Sequence, residues 1–141
     1  MLAQPRVIHS NELKALDGLY GTYGVKYAAG EFIVHEHEPS SDLYVILRGA
    51  VEFSVADPET MNRRVLRTAH AGEIFGEISC FSGLPRTASA QAVQERMLLR
   101  FQRDTAVEMI RTSPQFAIRL IQTMGDRLRR NTEMLTQLWN R

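Results

Sequence analysis

The residues best suited to chemistry lie in one stretch, Phe75-Gly76-Glu77-Ile78-Ser79-Cys80-Phe81-Ser82-Gly83-Leu84-Pro85-Arg86-Thr87-Ala88. Gly76 falls where a strand ends and a short helical turn can begin, and a glycine there lets the backbone come close to a ligand. The amides at the start of such a turn point outward and favour an anion. Glu77 offers two acceptor oxygens, suited to a sugar hydroxyl. Arg86 offers a rigid fork of donors that matches a phosphate bidentately. Pro85 stiffens the approach to it, and Thr87 adds a hydroxyl beside it. Together these groups suit a phosphorylated ribose. Gly-Glu alone is a common turn start and Pro-Arg-Thr alone a common loop. The information lies in their combination at this spacing, between a strand-rich half and a long helix.

A second constellation competes with it. In a strand, His35-x-His37 would place both imidazoles on one face, because side chains alternate. Gly30, His35, His37, Asp42 and Gly49 come near the first motif of cupins, which are jelly rolls and often metal enzymes. That motif has a Glu near the position of Asp42, however, and the histidine of the second cupin motif would fall near Phe75, which cannot bind metal. Two histidines without a settled third ligand make a poor metal site. No metal or other cofactor is expected. Ser79, Ser82, Ser89 and Cys80 have no histidine near them in sequence, and Cys80 reads as a small packed hydrophobe. Nothing supplies the metal pair or activated water of a phosphodiesterase, so the chain reads as a binding domain and not an enzyme.

The elements that must position these groups fall into two halves. From about residue 25 to 102 the chain reads as short strands. The run Ala50-Val51-Glu52-Phe53-Ser54-Val55 alternates, with Val51, Phe53 and Val55 on one face. Asp42–Arg48, Val65–Thr68 and Met97–Phe101 are further strands, and Gly30, Asp57-Pro58, Gly72 and Gly83 punctuate them. The fold class is mainly β with flanking helices, an antiparallel β-roll or jelly roll. After residue 102 the period changes. Asp104 is placed to cap a short helix over about 104–112, and Ser113-Pro114 restarts a helix with Ser at the N-cap and Pro at N1. That helix is predicted to run to about residue 139. Along it Ile121, Met124, Leu128, Asn131, Leu135 and Leu138 step by 3, 4, 3, 4, 3. This heptad seam predicts a homodimer through 114–139, with polar Asn131 able to fix register. Trp139 reads as an interface anchor.

Composition agrees with one domain over 1–141, opening on an N-terminal helical segment to about residue 24. The 141 residues are 44% apolar and 23% charged, enough for a core and for solubility. The single cysteine excludes an intrachain disulfide and suits a cytoplasmic setting. The opening MLAQPRVIHS lacks the apolar region of a secretory signal, and no run is long enough for a membrane span. Net charge is +1, but residues 111–141 carry 6 basic and 2 acidic side chains, +4. Arg119, Arg127 and Arg130 avoid the apolar seam, as a solvated face would.

The 75–88 stretch resembles the phosphate-binding cassette of the cyclic-nucleotide-binding domains. Its pattern runs Phe-Gly-Glu-Leu/Ile-Ala/Ser, a few residues, then Arg-Ser/Thr-Ala. Upstream, Gly30-Glu31-Phe32-Ile33 and Ser41 to Val51 resemble the family's opening β-roll. Downstream, the long helix resembles the dimer helix of the catabolite-activator group. The likeness covers about residues 19–139. It implies that Gly76 and the amide of Ile78 or Ser79 line the cyclic phosphate and that Glu77 accepts from the ribose 2′-hydroxyl. Arg86 would neutralise the phosphate, and Thr87 would add a hydrogen bond. In the bacterial group two polar residues follow an Arg-Leu-x-x step in the dimer helix. Here Arg127-Leu128-Arg129-Arg130 is followed by Asn131 and Thr132, which the likeness makes base contacts. It further implies a sensor of cAMP, or else cGMP, whose ligand shifts the long helix, with DNA contact only through a domain outside these 141 residues. A degenerate member that senses another ligand, or only dimerises, is the alternative that intact Glu77 and Arg86 argue against.

Overall fold

A computed structural model describes residues 18–139. Most of the N-terminal segment read as helical lies outside the described residues. Within them only α1 (Tyr20–Tyr23) is helical before Gly24 opens the first strand. The chain divides into two compact units, with the boundary between Ala106 and Val107.

Among the described residues the first unit carries eight strands. These are β1 (Gly24–Tyr27), β2 (Phe32–Val34), β3 (Leu43–Arg48), β4 (Ala50–Ala56), β5 (Arg63–His70), β6 (Ile74–Phe75), β7 (Ser89–Ala92) and β8 (Arg96–Phe101), with α2 (Glu77–Ser82) between β6 and β7. They form two antiparallel four-stranded sheets, in the orders β1-β8-β3-β6 and β2-β7-β4-β5. The expected mainly-β roll is the observed architecture. One core joins the sheets: Ile46 and Leu98 from the first meet Val51 and Ala90 from the second, all with no exposed surface. Burying each of the three larger side chains, Ile46, Leu98 and Val51, contributes about 1.5–3 kcal/mol.

β3 explains itself. Its first five residues, Leu43–Leu47, are all buried, as a continuous apolar run requires of a strand covered on both faces. Gly49 turns the chain into β4 at φ +90°, with the Arg96 side chain lying where a Cβ would stand. β4 departs from simple alternation. Val51 is buried, yet Phe53 and Val55 are only half-buried and the intervening Ser54 is fully buried. The pairing with β5 shifts between Phe53 and Ser54, skipping Leu66. Arg63 Nη1 covers Ser54 by donating to its Oγ at 2.9 Å.

α3 runs Arg103–Thr112 and α4 runs Pro114–Trp139. The α3 helix begins one residue earlier than expected. Ala106 N–H bonds the Gln102 carbonyl, so Asp104 sits inside the first turn, where its charge favours the helix dipole, and is not the cap. Ser113 does cap α4, accepting the Phe116 N–H at 3.3 Å. Among the described residues no helix is long and apolar enough to cross a membrane.

Candidate functional site

The site starts at the junction of β6 and α2. Phe75 ends the strand fully buried, and Gly76 turns the chain at φ +86°, ψ 7°, in the left-handed region that favours glycine. A Cβ on Gly76 would lie 2.7 Å from Arg86 Nη1 and 2.9 Å from the Asp42 carbonyl oxygen, so the position excludes any side chain. The first intrahelical bond of α2 runs from Cys80 N–H to the Gly76 carbonyl at 3.0 Å. The amides of Glu77, Ile78 and Ser79 therefore precede the helical ladder, at the positive end of its dipole. Glu77 and Ser79 are buried, each 3% exposed, and Ile78 is half-buried.

Arg86 returns to this turn from the loop after α2. It is 3% exposed. Its Nη1 donates to the Gly76 carbonyl at 3.3 Å, its Nη2 to the Asp42 carbonyl at 2.9 Å, and its Nε to Ser40 Oγ at 2.9 Å. The guanidinium carbon lies 5.8 Å from the centre of the Tyr44 ring. The backbone is held as firmly: Arg86 N–H donates to the Glu38 carbonyl at 3.0 Å, and the His37 N–H donates to the Arg86 carbonyl at 2.8 Å. Three of the five guanidinium N–H groups thus engage neutral oxygens. One N–H on each terminal nitrogen is left over in that count, the fork geometry that suits a phosphate.

The Gly76–Ser79 turn and Arg86 therefore stand together, in contact through the Gly76 carbonyl. Thr87 is exposed directly after Arg86. Asn131 and Thr132 belong to the second unit, both exposed on α4, and Thr132 Oγ1 donates to the Leu128 carbonyl at 3.0 Å. On the same helix Ile121, Met124, Leu128, Leu135, Leu138 and Trp139 are exposed. Sequence reasoning did not find Ser40, Glu38 or the carbonyl of Asp42. They are 44–48 residues from Arg86 in sequence, and two of them act through the backbone, which leaves no mark on residue type.

The histidine pair is a correction. β2 ends at Val34, and His35 and His37 lie in the following turn, not in a strand. His37 adopts φ +71°, so the alternation that would align two imidazoles does not apply. His35 stacks on Phe32 with ring centres 4.7 Å apart, and His37 Nε2 lies 3.5 Å from Glu36 Oε2. Among the described residues no group of three His, Cys, Asp or Glu side chains is placed to hold a metal. Cys80 is fully buried, and burial pushes its thiol pKa up, against the thiolate a nucleophile needs.

The comparisons with known proteins bear on this geometry. The sequence matches the family described as the cyclic nucleotide-binding domain over residues 24–113, which takes in all eight strands and the 76–87 turn. The CRP-like cAMP-activated global transcriptional regulator of Mycobacterium tuberculosis is 30% identical over 114 residues, 81% of this chain and 50% of that protein. The chain thus spans about half the length of that curated relative. Among solved structures, the Catabolite Activator Protein of Thermus thermophilus is 28% identical with a TM-score of 0.76, covering 89% of this chain and 59% of that one. The N-terminal domain of a transcriptional regulator from Streptomyces coelicolor A3(2) is also 28% identical, with a TM-score of 0.63 over 87% of this chain and 84% of that one. A roll closed over a glycine turn and a buried arginine, matched by a domain family along most of the chain's length, has one reading: this chain belongs to the cyclic nucleotide-binding domains, within the superfamily of the cAMP receptor regulators.

Proposed function

We propose that the chain is a regulatory sensor that binds a cyclic nucleotide, cAMP in preference to cGMP, without catalysing a reaction on it. The observation that carries this reading is Arg86, buried to 3% exposure and held by neutral oxygens beside the Gly76 turn. A guanidinium kept out of water in this way is pre-organised for an anion. The cyclic phosphate would take the remaining donors of the fork, with the amides of Ile78 and Ser79 on its other side. Glu77 would accept from the ribose 2′-hydroxyl, and Thr87 would add a hydroxyl contact.

Asn131 and Thr132 are the proposed base readers. The Thr132 hydroxyl proton is engaged by the Leu128 carbonyl, so the oxygen presents lone pairs. Lone pairs suit the 6-amino group of adenine, a donor, and oppose the guanine O6, an acceptor. This polarity supports the preference for cAMP.

In the same reading α4 pairs two copies into a homodimer along its exposed heptad seam. Ligand would favour one position of that helix by its difference in affinity between the two states. These 141 residues would act in the cytoplasm without contacting DNA themselves. Calorimetric titration with cAMP and with cGMP tests the reading. Saturable binding at micromolar Kd or tighter, with cAMP the stronger, is expected. Heat from neither ligand, on folded protein, would remove it.

A further inference from the structure

Arg86 has a third anchor besides the two carbonyls. Ser40 Oγ accepts the Arg86 Nε–H at 2.9 Å and donates its own proton to Glu38 Oε2 at 2.5 Å. The direction is fixed by chemistry, since an ionised carboxylate only accepts and a guanidinium only donates. The hydroxyl therefore turns its lone pairs towards Arg86, and the carboxylate behind it increases their negative character. Ser40 and Glu38 are half-buried, and the Glu38 carbonyl also accepts the Arg86 amide.

We propose that Ser40 and Glu38 are positioning residues for the phosphate-binding arginine: a carboxylate acting through one hydroxyl that fixes the guanidinium from its Nε side. The relay answers a conflict built into such a site. A buried guanidinium needs negative charge nearby, because an uncompensated one is costly. A carboxylate seated directly on the fork would satisfy it but compete with the ligand's phosphate. Placing the charge one hydroxyl away, on Nε, compensates the cation while Nη1 and Nη2, each with one bond to a backbone carbonyl, keep a second donor. The inference rests on the cyclic-nucleotide reading for its function, though not for its geometry.

The test uses the full chain, with two readouts. The first is calorimetric titration with cAMP of the wild type, Ser40→Ala, Ser40→Thr and Glu38→Gln. Ser40→Ala is expected to weaken binding about tenfold, the loss of one charge-assisted hydrogen bond, and to lower the melting temperature as well, because it leaves Arg86 Nε buried without its partner. Ser40→Thr keeps the hydroxyl and should restore affinity to within about twofold, a rescue that a purely structural role for the serine would not require. Glu38→Gln, close in shape but uncharged, should lie between the two. Ser40→Ala should add little once Arg86→Lys has removed Nε, since the two changes act on one bond. The second readout needs no nucleotide: the Arg86 Nε–H, followed by 15N NMR, should exchange slowly with solvent in the wild type and quickly in Ser40→Ala. Wild-type affinity in both Ser40→Ala and Glu38→Gln overturns the proposal, as does unchanged Nε–H protection in Ser40→Ala. If the wild type binds neither cAMP nor cGMP, the sensor reading falls, and the exchange measurement alone upholds or removes the clamp.

Discussion

Two glycines separate the two ways a residue can matter in the cassette. Gly76 and Gly83 both adopt positive φ, +86° and +71°. A Cβ at Gly83 meets nothing within 4 Å, whereas one at Gly76 runs into Arg86 Nη1. Alanine at either position should cost about 1–2 kcal/mol of stability from the left-handed backbone. Only Gly76→Ala should also displace the guanidinium, so it is expected to weaken cyclic-nucleotide binding more than tenfold, while Gly83→Ala binds as the wild type does. Melting curves and titrations of the two variants check this, and equal affinities would show that close approach at Gly76 is not what the site needs. Arg86→Ala belongs to the same scale. Truncating one member of a buried charge pair costs about 2–5 kcal/mol, so its affinity should fall roughly 30-fold or more. Unchanged affinity would sink the phosphate role.

At the scale of elements, what was legible follows from how each one is buried. β3 showed itself as an unbroken apolar run and α4 as a capped heptad pattern, because in both a hydrophobic face decides the structure. β7, Ser89–Ala92, carries no such mark. It lies between β2 and β4, where Ala90 and Ala92 pair with Phe53 and Val51. Small residues there leave room for large ones opposite, and small residues have weak strand preference. β5 extends past its apolar centre because backbone pairing with β4 holds it, not burial. His35 and His37 fail to share a face for the converse reason: side-chain alternation ends where the strand stops, at Val34. The cassette was readable because its residues are close in sequence, and the 38–42 segment that secures Arg86 was not, because it works at long range. The α4 seam makes its own prediction. Leu128 is 68% exposed in the single chain, a poor state for a leucine at the middle of a heptad row. Leu128→Asp should convert a dimer to a monomer in analytical ultracentrifugation, weakening association at least about 100-fold through lost burial and a charge in the seam. The roll should keep its melting transition, since the change lies in the other unit. A variant that stays dimeric would place the interface elsewhere.

For the whole molecule, the ionisable groups buried beneath the site set how stability depends on pH. Tyr44 is 4% exposed, with Phe75 stacked on it at 5.0 Å, and burial is the main reason its phenol pKa is pushed well above the ordinary 10.0. Cys80, fully buried in α2, is raised above 9.0, again first by burial, with the nearby Arg103 and Arg86 opposing. Both are acids whose folded pKa exceeds the unfolded one. Below about pH 8 neither ionises appreciably in either state, and their contribution is fully present. As pH rises through 9 and then 10, the unfolded chain releases protons that the native chain retains, so unfolding becomes progressively easier. Each group can remove up to about 1.4 kcal/mol per pH unit until its folded form also ionises. From neutral pH, thermal melts should therefore be flat up to about pH 8 and fall more and more steeply above it. Tyr44→Phe keeps the ring on Phe75 and near Arg86 but has no proton to lose. It should flatten the limb above pH 10 while leaving the Cys80 limb in place, and Cys80→Ser should do the reverse. A Tyr44→Phe protein with an unaltered alkaline profile would mean that the phenol ionises as readily in the folded roll as in water, and that Tyr44 is not the sealed floor against which Arg86 is held.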